Sequence, residues 1–336
     1  MFCSTIIPTI GRPELSRAVD SVLNQQFTKA DFEVIVVNDS GHPLPPADWQ
    51  QSKQIRVLDT IMRERCVARN TGAAIAKGEY LHFLDDDDWL LPGAMESFWK
   101  LMLSGTDAAW LYGAAQLVDR QGRPIIQLHH RMRGNCFIQV MAGEWIPLQT
   151  SIIKTKAFFQ VGGFHPLVPG VEDIDLCRRI ALHLELDYTN EVVACKGMGV
   201  EGSVTNHESV PLYSRWAREK ILSEPGVFKR MRESTTTSYW HGRFVRAFLT
   251  SAVWNLQRKN VFVAFSRGVF GSIAFLLAGC HIFSSSFWEA VFRSYRSFTF
   301  QAGHEAANNA AARKAAVENS PTRLQDKIDA GKDVAQ

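Results

Sequence analysis

The sequence predicts an α/β fold built on a mostly parallel central sheet and followed by a C-terminal helical extension. Three observations carry that prediction. Short β-branched runs alternate with helical stretches over roughly the first hundred residues, the order produced when crossover helices wind a sheet. Acidic residues gather where two of those strands end, Asp39 after one and Asp85-Asp86-Asp87-Asp88 after another. Ligands of open α/β sheets collect at that edge. Finally, charge is divided along the chain. The net charge of +3 over 336 residues hides −5 in residues 1–224 and +8 in residues 225–300, and the second segment holds 17 of the 36 aromatic residues.

The elements follow in order. Residues 4–8 form a short apolar strand, and a turn at Gly11-Arg12-Pro13 leads into a helix that runs to about Gln25, with Pro13 suited to its first turn. Residues 33–37 are a buried strand that ends at Asn38-Asp39-Ser40-Gly41, and after a proline-rich loop residues 55–58 make a third. Residues 63–77 are helical, with Gly78 expected as the glycine just past the helix end. Residues 80–84 are a strand that runs straight into the four aspartates. Residues 109–118 and 124–128 flank a hairpin turn, residues 148–153 are a strand, and a short helix ends near Gly162-Gly163. Residues 174–184 are helical. Beyond Ser223, apolar residues at 244, 248, 249, 252, 253 and 256 mark a helical stripe. The division is therefore 1–222 for the α/β domain (1–108 and 109–222 as its halves), 223–300 for a basic helical region and 301–336 for a flexible tail.

With 46% hydrophobic and 21% charged residues, the chain is neither a disordered protein nor a small disulfide scaffold. Its first residues lack the basic and apolar segments of a signal peptide. The six cysteines are scattered, which reads as buried free thiols in a reducing, cytoplasmic setting. Residues 268–288 carry no Asp, Glu, Lys or Arg over 21 positions, a length that reaches across a bilayer. Three glycines, His281 and Ser284-Ser285-Ser286 interrupt that run, and a packed or interfacial helix is the better reading.

Four consecutive carboxylates after a buried strand repel one another, and either water or a cation must relieve them. A hard divalent ion such as Mn²⁺ or Mg²⁺ takes carboxylate oxygens and then binds substrate phosphates. Asp39 lies on the same edge, although Asn-Asp-Ser-Gly is also ordinary turn chemistry. Glu172, Asp173 and Asp175 open a helix, where acids complement the dipole. The alternative is a general base, which needs only a proton-accepting oxygen near an acceptor hydroxyl. His207 is a further candidate metal ligand, and the pair His129-His130 a weaker one. The chain has no P-loop, no Gly-x-Gly-x-x-Gly and no nucleophile elbow.

Five segments occur in order: Thr5-Ile6-Ile7-Pro8-Thr9-Ile10-Gly11-Arg12-Pro13; Val34-Ile35-Val36-Val37-Asn38-Asp39-Ser40; Ala68-Arg69-Asn70-x-Gly72; Gly78-Glu79-Tyr80-Leu81-x-Phe83-Leu84 with the four aspartates; and Gly162-Gly163-Phe164 followed by Glu172-Asp173-x-Asp175-Leu176. Together they resemble the inverting family 2 glycosyltransferases of GT-A fold, over about residues 3–220. The resemblance implies a nucleotide-base pocket lined by Pro8, Thr9 and Asp39, with Arg12 and Arg69 nearby. Asp85 and Asp87 match the family's Asp-x-Asp, on the ribose and the metal respectively, with Asp86 beside them on the donor. Asp173 matches the catalytic base, with Glu172 and Asp175 on the acceptor side. Members often carry Tyr-Asn where this chain has Ile10-Gly11, so stacking on the base from that position is absent. Arg215-Trp216 lacks the glutamine of the processive synthases' Gln-x-x-Arg-Trp, which implies single addition.

The implied partners are a nucleoside-diphosphate sugar and a carbohydrate or lipid-linked acceptor in surface glycan or glycolipid synthesis. No nucleic acid is implied. The basic segment 225–300 suits either a cap on the catalytic domain or docking on an anionic membrane, which would place the protein on the inner face of the cytoplasmic membrane. Two rivals stand beside this: a non-catalytic nucleotide-sugar binder or membrane adaptor, and a sugar-nucleotide pyrophosphorylase. The pyrophosphorylase wants a glycine-rich loop that residues 8–12 do not supply.

Overall fold

The structure, a computed structural model, describes residues 1–61, 64–119, 121–197 and 210–292. Its strands are β1 (Cys3–Thr9), β2 (Phe32–Asn38), β3 (Ile55–Asp59), β4 (Tyr80–Phe83), β5 (Trp89–Leu90), β6 (Trp110–Val118), β7 (Pro124–Leu128), β8 (Ser151–Lys154) and β9 (Leu186–Gly197). The helices of the α/β part are α1 (Leu15–Leu23), α2 (Arg65–Ile75), α3 (Ala94–Leu103), α4 (Phe137–Ala142), α5 (Thr155–Gln160) and α6 (Glu172–His183). Five more follow: α7 (Val210–Leu222), α8 (Val227–Arg232), α9 (Ser238–Gln257), α10 (Val261–Leu277) and α11 (Ser285–Phe292). All strands join one sheet in the order β3-β2-β1-β4-β8-β6-β9-β5, with β7 on β6. It is parallel across β3-β2-β1-β4 and mixed beyond, where β8 runs antiparallel to both neighbours while β9 is parallel to β6.

Both faces of the parallel block are covered, so β1 and β2 are buried along nearly their whole length. Their polar members pair with one another, as Ser4 does in donating to Glu33 at 2.7 Å. Alternate residues enter different cores. Phe32, Val34 and Val36 pack with α1 and α3, whereas Ile35 and Val37 pack with the α2 and α6 side. Glu64 starts α2 by accepting the backbone N–H groups of Cys66 and Val67. The helix stops in extended backbone at Ala76, so Gly78 is not its terminal glycine. Gly78 is there for close approach instead: a Cβ would lie 2.5 Å from the Ser4 nitrogen and 2.7 Å from the Tyr80 oxygen. Gly78→Ala should therefore cost about 1–3 kcal/mol of stability, read as a lower urea midpoint.

The C-terminal helices share the main core. Phe244 meets Phe137 of α4 at 5.7 Å, and Phe248, Ala274 and Phe287 belong to the same cluster. The uncharged run 268–288 is broken between α10 and α11 by a tight turn at Gly279–Phe283. Among the described residues, no helix is long and apolar enough to cross a membrane. Five cysteines are buried free thiols, but Cys280, in that turn, is exposed. The tail 301–336 lies outside the described residues.

Candidate functional site

Parallel register brings the strand ends together. Thr9 pairs with Asn38 and Ile6 with Phe83, so the residues that follow β2 and β4 emerge beside the end of β1. Asp39 is buried there. Its backbone N–H donates to the Thr9 carbonyl at 2.7 Å, and its carboxylate accepts the Thr60 hydroxyl at 2.6 Å. Asn38 holds the turn below it by donating to Asp59 and to the His42 carbonyl, each at 2.7 Å. Pro8 is half-buried at the same edge, next to Thr9 and the Gly11-Arg12 turn.

The four aspartates divide into two groups. Their chain folds back so that the Asp88 N–H donates to the Asp85 carbonyl at 3.1 Å. Asp86 turns toward β1, accepting the Thr9 hydroxyl at 2.7 Å and Arg12 at 3.0 Å. Asp85, Asp87 and Asp88 each offer an oxygen within 4.8 Å of the others. Asp87 also accepts Arg12 at 3.2 Å. Asp88 takes the Gly197 N–H on one oxygen at 2.9 Å, while its other oxygen is buried without a hydrogen bond, 3.8 Å from the Lys196 ammonium.

Electrostatics follow from this crowding. Burial drives the Asp86 carboxyl up to about 6, against the pull of Thr9 and Arg12. Burial, with the charges of Asp87 and Asp85, drives Asp88 up to about 7 despite Lys196. Asp87 is raised by burial and by Asp85. Burial would raise Asp85 too, but Arg69, Lys196 and Arg65 overcome it and hold that carboxyl below the usual range. Three hard oxygen donors, one of them buried without a hydrogen bond, fit Mg²⁺ or Mn²⁺. Asp88 thus joins Asp85 and Asp87, a position that identical neighbouring letters do not distinguish. His207 lies outside the described residues, and neither His129 nor His130 joins the acidic group.

Arg69 connects this group to α6. Buried on α2 against the Phe164 ring, it bonds Asp85 with one terminal nitrogen and donates with the other to Glu172 at 2.9 Å. Arg65, one turn earlier, lies 3.3 Å from the same Glu172 oxygen. Asp175 is buried and accepts Arg179 at 2.9 Å. Glu172 and Asp175 are thus taken up by arginines, and Asp173 between them is half-buried. Asp173 accepts the Ile174 N–H at 2.7 Å and the Trp145 indole at 3.3 Å. Burial, then the Glu172 charge, push its carboxyl up to about 6. Sequence reasoning missed Lys196 and Trp145. Lys196 is the penultimate residue of β9, and although burial works to lower it, Asp88, Asp85, Asp173 and Asp87 keep its ammonium above the usual range. The apolar run Val192-Val193-Ala194-Cys195 was the available signal for that strand.

Residues 4–164 match the family model described as Glycosyl transferase family 2. An uncharacterized glycosyltransferase of Haemophilus influenzae is 25% identical over 180 residues, 53% of this chain and 61% of the relative. The Staphylococcus aureus poly(ribitol-phosphate) β-N-acetylglucosaminyltransferase TarP is 35% identical over 103 residues, 29% of this chain and 32% of that protein. The chain therefore spans less than two thirds of the length of these curated relatives. Among solved structures, S. aureus TarS 1–349 in complex with UDP-GlcNAc superposes with a TM-score of 0.55 at 14% identity, over 80% of this chain and 90% of that one. That likeness establishes the fold as GT-A-like. Over residues 4–164, from the first strand through the acidic turn to Phe164, the chain carries the segment described as Glycosyl transferase family 2.

Proposed function

We propose that the protein transfers a glycosyl group from a nucleoside-diphosphate sugar to an acceptor hydroxyl, in a single displacement that inverts the anomeric carbon. The observation that carries this reading is Asp173, a carboxyl raised by burial to about 6, tied through Glu172 and Arg69 to the three-aspartate group. On this reading Pro8, Thr9 and Asp39 hold the nucleoside, Arg12 and Asp86 border the donor, and Arg69 fixes Asp85 toward the ribose. A divalent cation on Asp85, Asp87 and Asp88 would neutralise charge on the departing diphosphate. Asp173 accepts the proton of the attacking hydroxyl. Trp145 and the Ile174 N–H hold its two oxygens in place for that transfer. Lys196, between Asp88 and Asp173, keeps their like charges tolerable. Glu172 and Asp175 shape the acceptor side through their arginines. The acceptor is a carbohydrate or a lipid-linked glycan, extended by one sugar at the cytoplasmic face of the membrane.

The test is nucleoside diphosphate release from UDP-GlcNAc, the sugar nucleotide in the TarS structure, and then from other donors, with Mn²⁺ added. Release without acceptor, or faster with one, supports transfer; a binder that only holds the donor releases none. In the same assay kcat/KM should rise as pH increases through about 6, because the base acts only when deprotonated. A fall over that range would remove Asp173 from the role.

A further inference from the structure

We propose that the outer face of α9, α10 and α11 docks on an anionic lipid bilayer, with α10 lying in the headgroup plane. On α10, Phe262, Phe265, Val269 and Leu276 are exposed and recur at spacings of three, four and seven residues, which puts them on one side of the helix. The side of Phe262 is 84% exposed, and Phe283 in the following turn is 87% exposed. Val253 and Leu256 on α9 are exposed at the same end of the pair.

That face cannot turn inward. Ala264, Gly271 and Ala274 are buried on the opposite side of α10, and buried Arg267 is bound there, donating to the Glu219 carboxylate at 3.0 Å and the Ser223 hydroxyl at 2.6 Å. Glu219 lies on α7, and α7 is held to α6 by Arg178, which donates to the Ser214 carbonyl at 3.1 Å. The outer face is therefore rigidly joined to the helix that carries Asp173.

Charge selects the occupant. From α9 to the end of α11, residues 238–292 contain five basic residues and one acidic one, Glu289. Two of the five, Arg258 and Lys259, are exposed in the α9–α10 turn, with the Arg258 guanidinium 4.0 Å over the Trp254 ring. Cations beside an apolar stripe and an aromatic ring match an anionic headgroup layer over acyl chains. A second copy of this face would bring the basic turns of two molecules together, with one exposed carboxylate per copy, Glu289, to answer them. The geometry also fits lying flat: α10 has 17 residues, about 25 Å of helix, against about 30 Å of hydrocarbon. Docking deepens the reading of a lipid-linked acceptor, but the lipid contact itself does not depend on transferase activity.

Co-sedimentation of the full chain with vesicles tests it without using turnover. Binding is expected to phosphatidylcholine vesicles containing phosphatidylglycerol, weak or absent with phosphatidylcholine alone, and reduced by added salt. Replacing Arg258 and Lys259 by Gln should weaken binding about fivefold per cation. The pair Phe262→Ala and Phe265→Ala should abolish it while the circular dichroism spectrum and donor hydrolysis stay unchanged. Equal binding to both vesicle types, no binding to either, or full binding by the phenylalanine variant overturns the proposal. So does a dimer that the phenylalanine variant dissociates, since the face would then belong to a second copy.

Discussion

Asp173→Asn should lower kcat about 10²–10⁴-fold while UDP-GlcNAc binding, measured by titration calorimetry, is retained. The amide keeps the size of the side chain but can accept only one of the two hydrogen bonds, so the 3.3 Å contact from the Trp145 indole is given up. Its oxygen can still take the Ile174 N–H, which now sits 2.7 Å from the carboxylate. What disappears is the site that receives a proton from the acceptor. The change also removes a negative charge next to Glu172, so the fold should not suffer. Loss of donor binding together with turnover would mean that Asp173 positions the donor. Near-normal turnover would mean that the proton goes elsewhere. The pH profile separates a base from a merely structural acid, because only a base makes the limb near pH 6 vanish in the variant.

Arg69→Met should destabilise the protein by about 3–5 kcal/mol, visible as a large drop in urea midpoint. Arg69 is only 2% exposed and serves Asp85 and Glu172 at once. Methionine fills much of the volume but leaves buried Glu172 with Arg65 alone and half-buried Asp85 without its nearest cation. In the wild-type protein, the lowered carboxyl of Asp85 contributes stability that is present above about pH 4, the unfolded value, and is lost as pH falls toward its own lower value. Adding Glu172→Gln should recover part of the loss, since one of the stranded charges is then gone. A cost below about 1 kcal/mol, typical of an exposed pair, would show that water already shares the bridge.

The parallel half of the fold was legible because β1, β2 and β4 are covered on both faces and are rich in apolar residues, such as Ile6-Ile7 and Val34-Ile35-Val36-Val37. The strand at 124–128 was legible from its turn. The strand expected at 148–153 begins only at Ser151, since Thr150 and Ser151 spend their hydroxyls on the Pro147 carbonyl and tighten the chain before it. β5 has two residues and exists through pairing with β9, so no local pattern announces it. The same limit applies to the site. Arg65 and Arg69 stand one turn apart on α2, which spacing reveals, but their partner Glu172 is more than a hundred positions away in the chain. Four identical aspartates could not be told apart by letter. The turn that returns Asp88 to Asp85, and the hydroxyl of Thr9 that draws Asp86 aside, decide their roles.

The contact between Phe137 and Phe244 has a consequence for what can be separated. The family match ends at Phe164, yet α4, inside that match, rests on α9, well outside it, and Asn135 donates to the Arg230 carbonyl at 2.8 Å. Cutting the chain after α7 would strip a fully buried aromatic wall from α4 and leave Glu219 without Arg267. The family match therefore stops well short of the boundary of cooperative folding. The piece that the family shares is not a piece that stands alone.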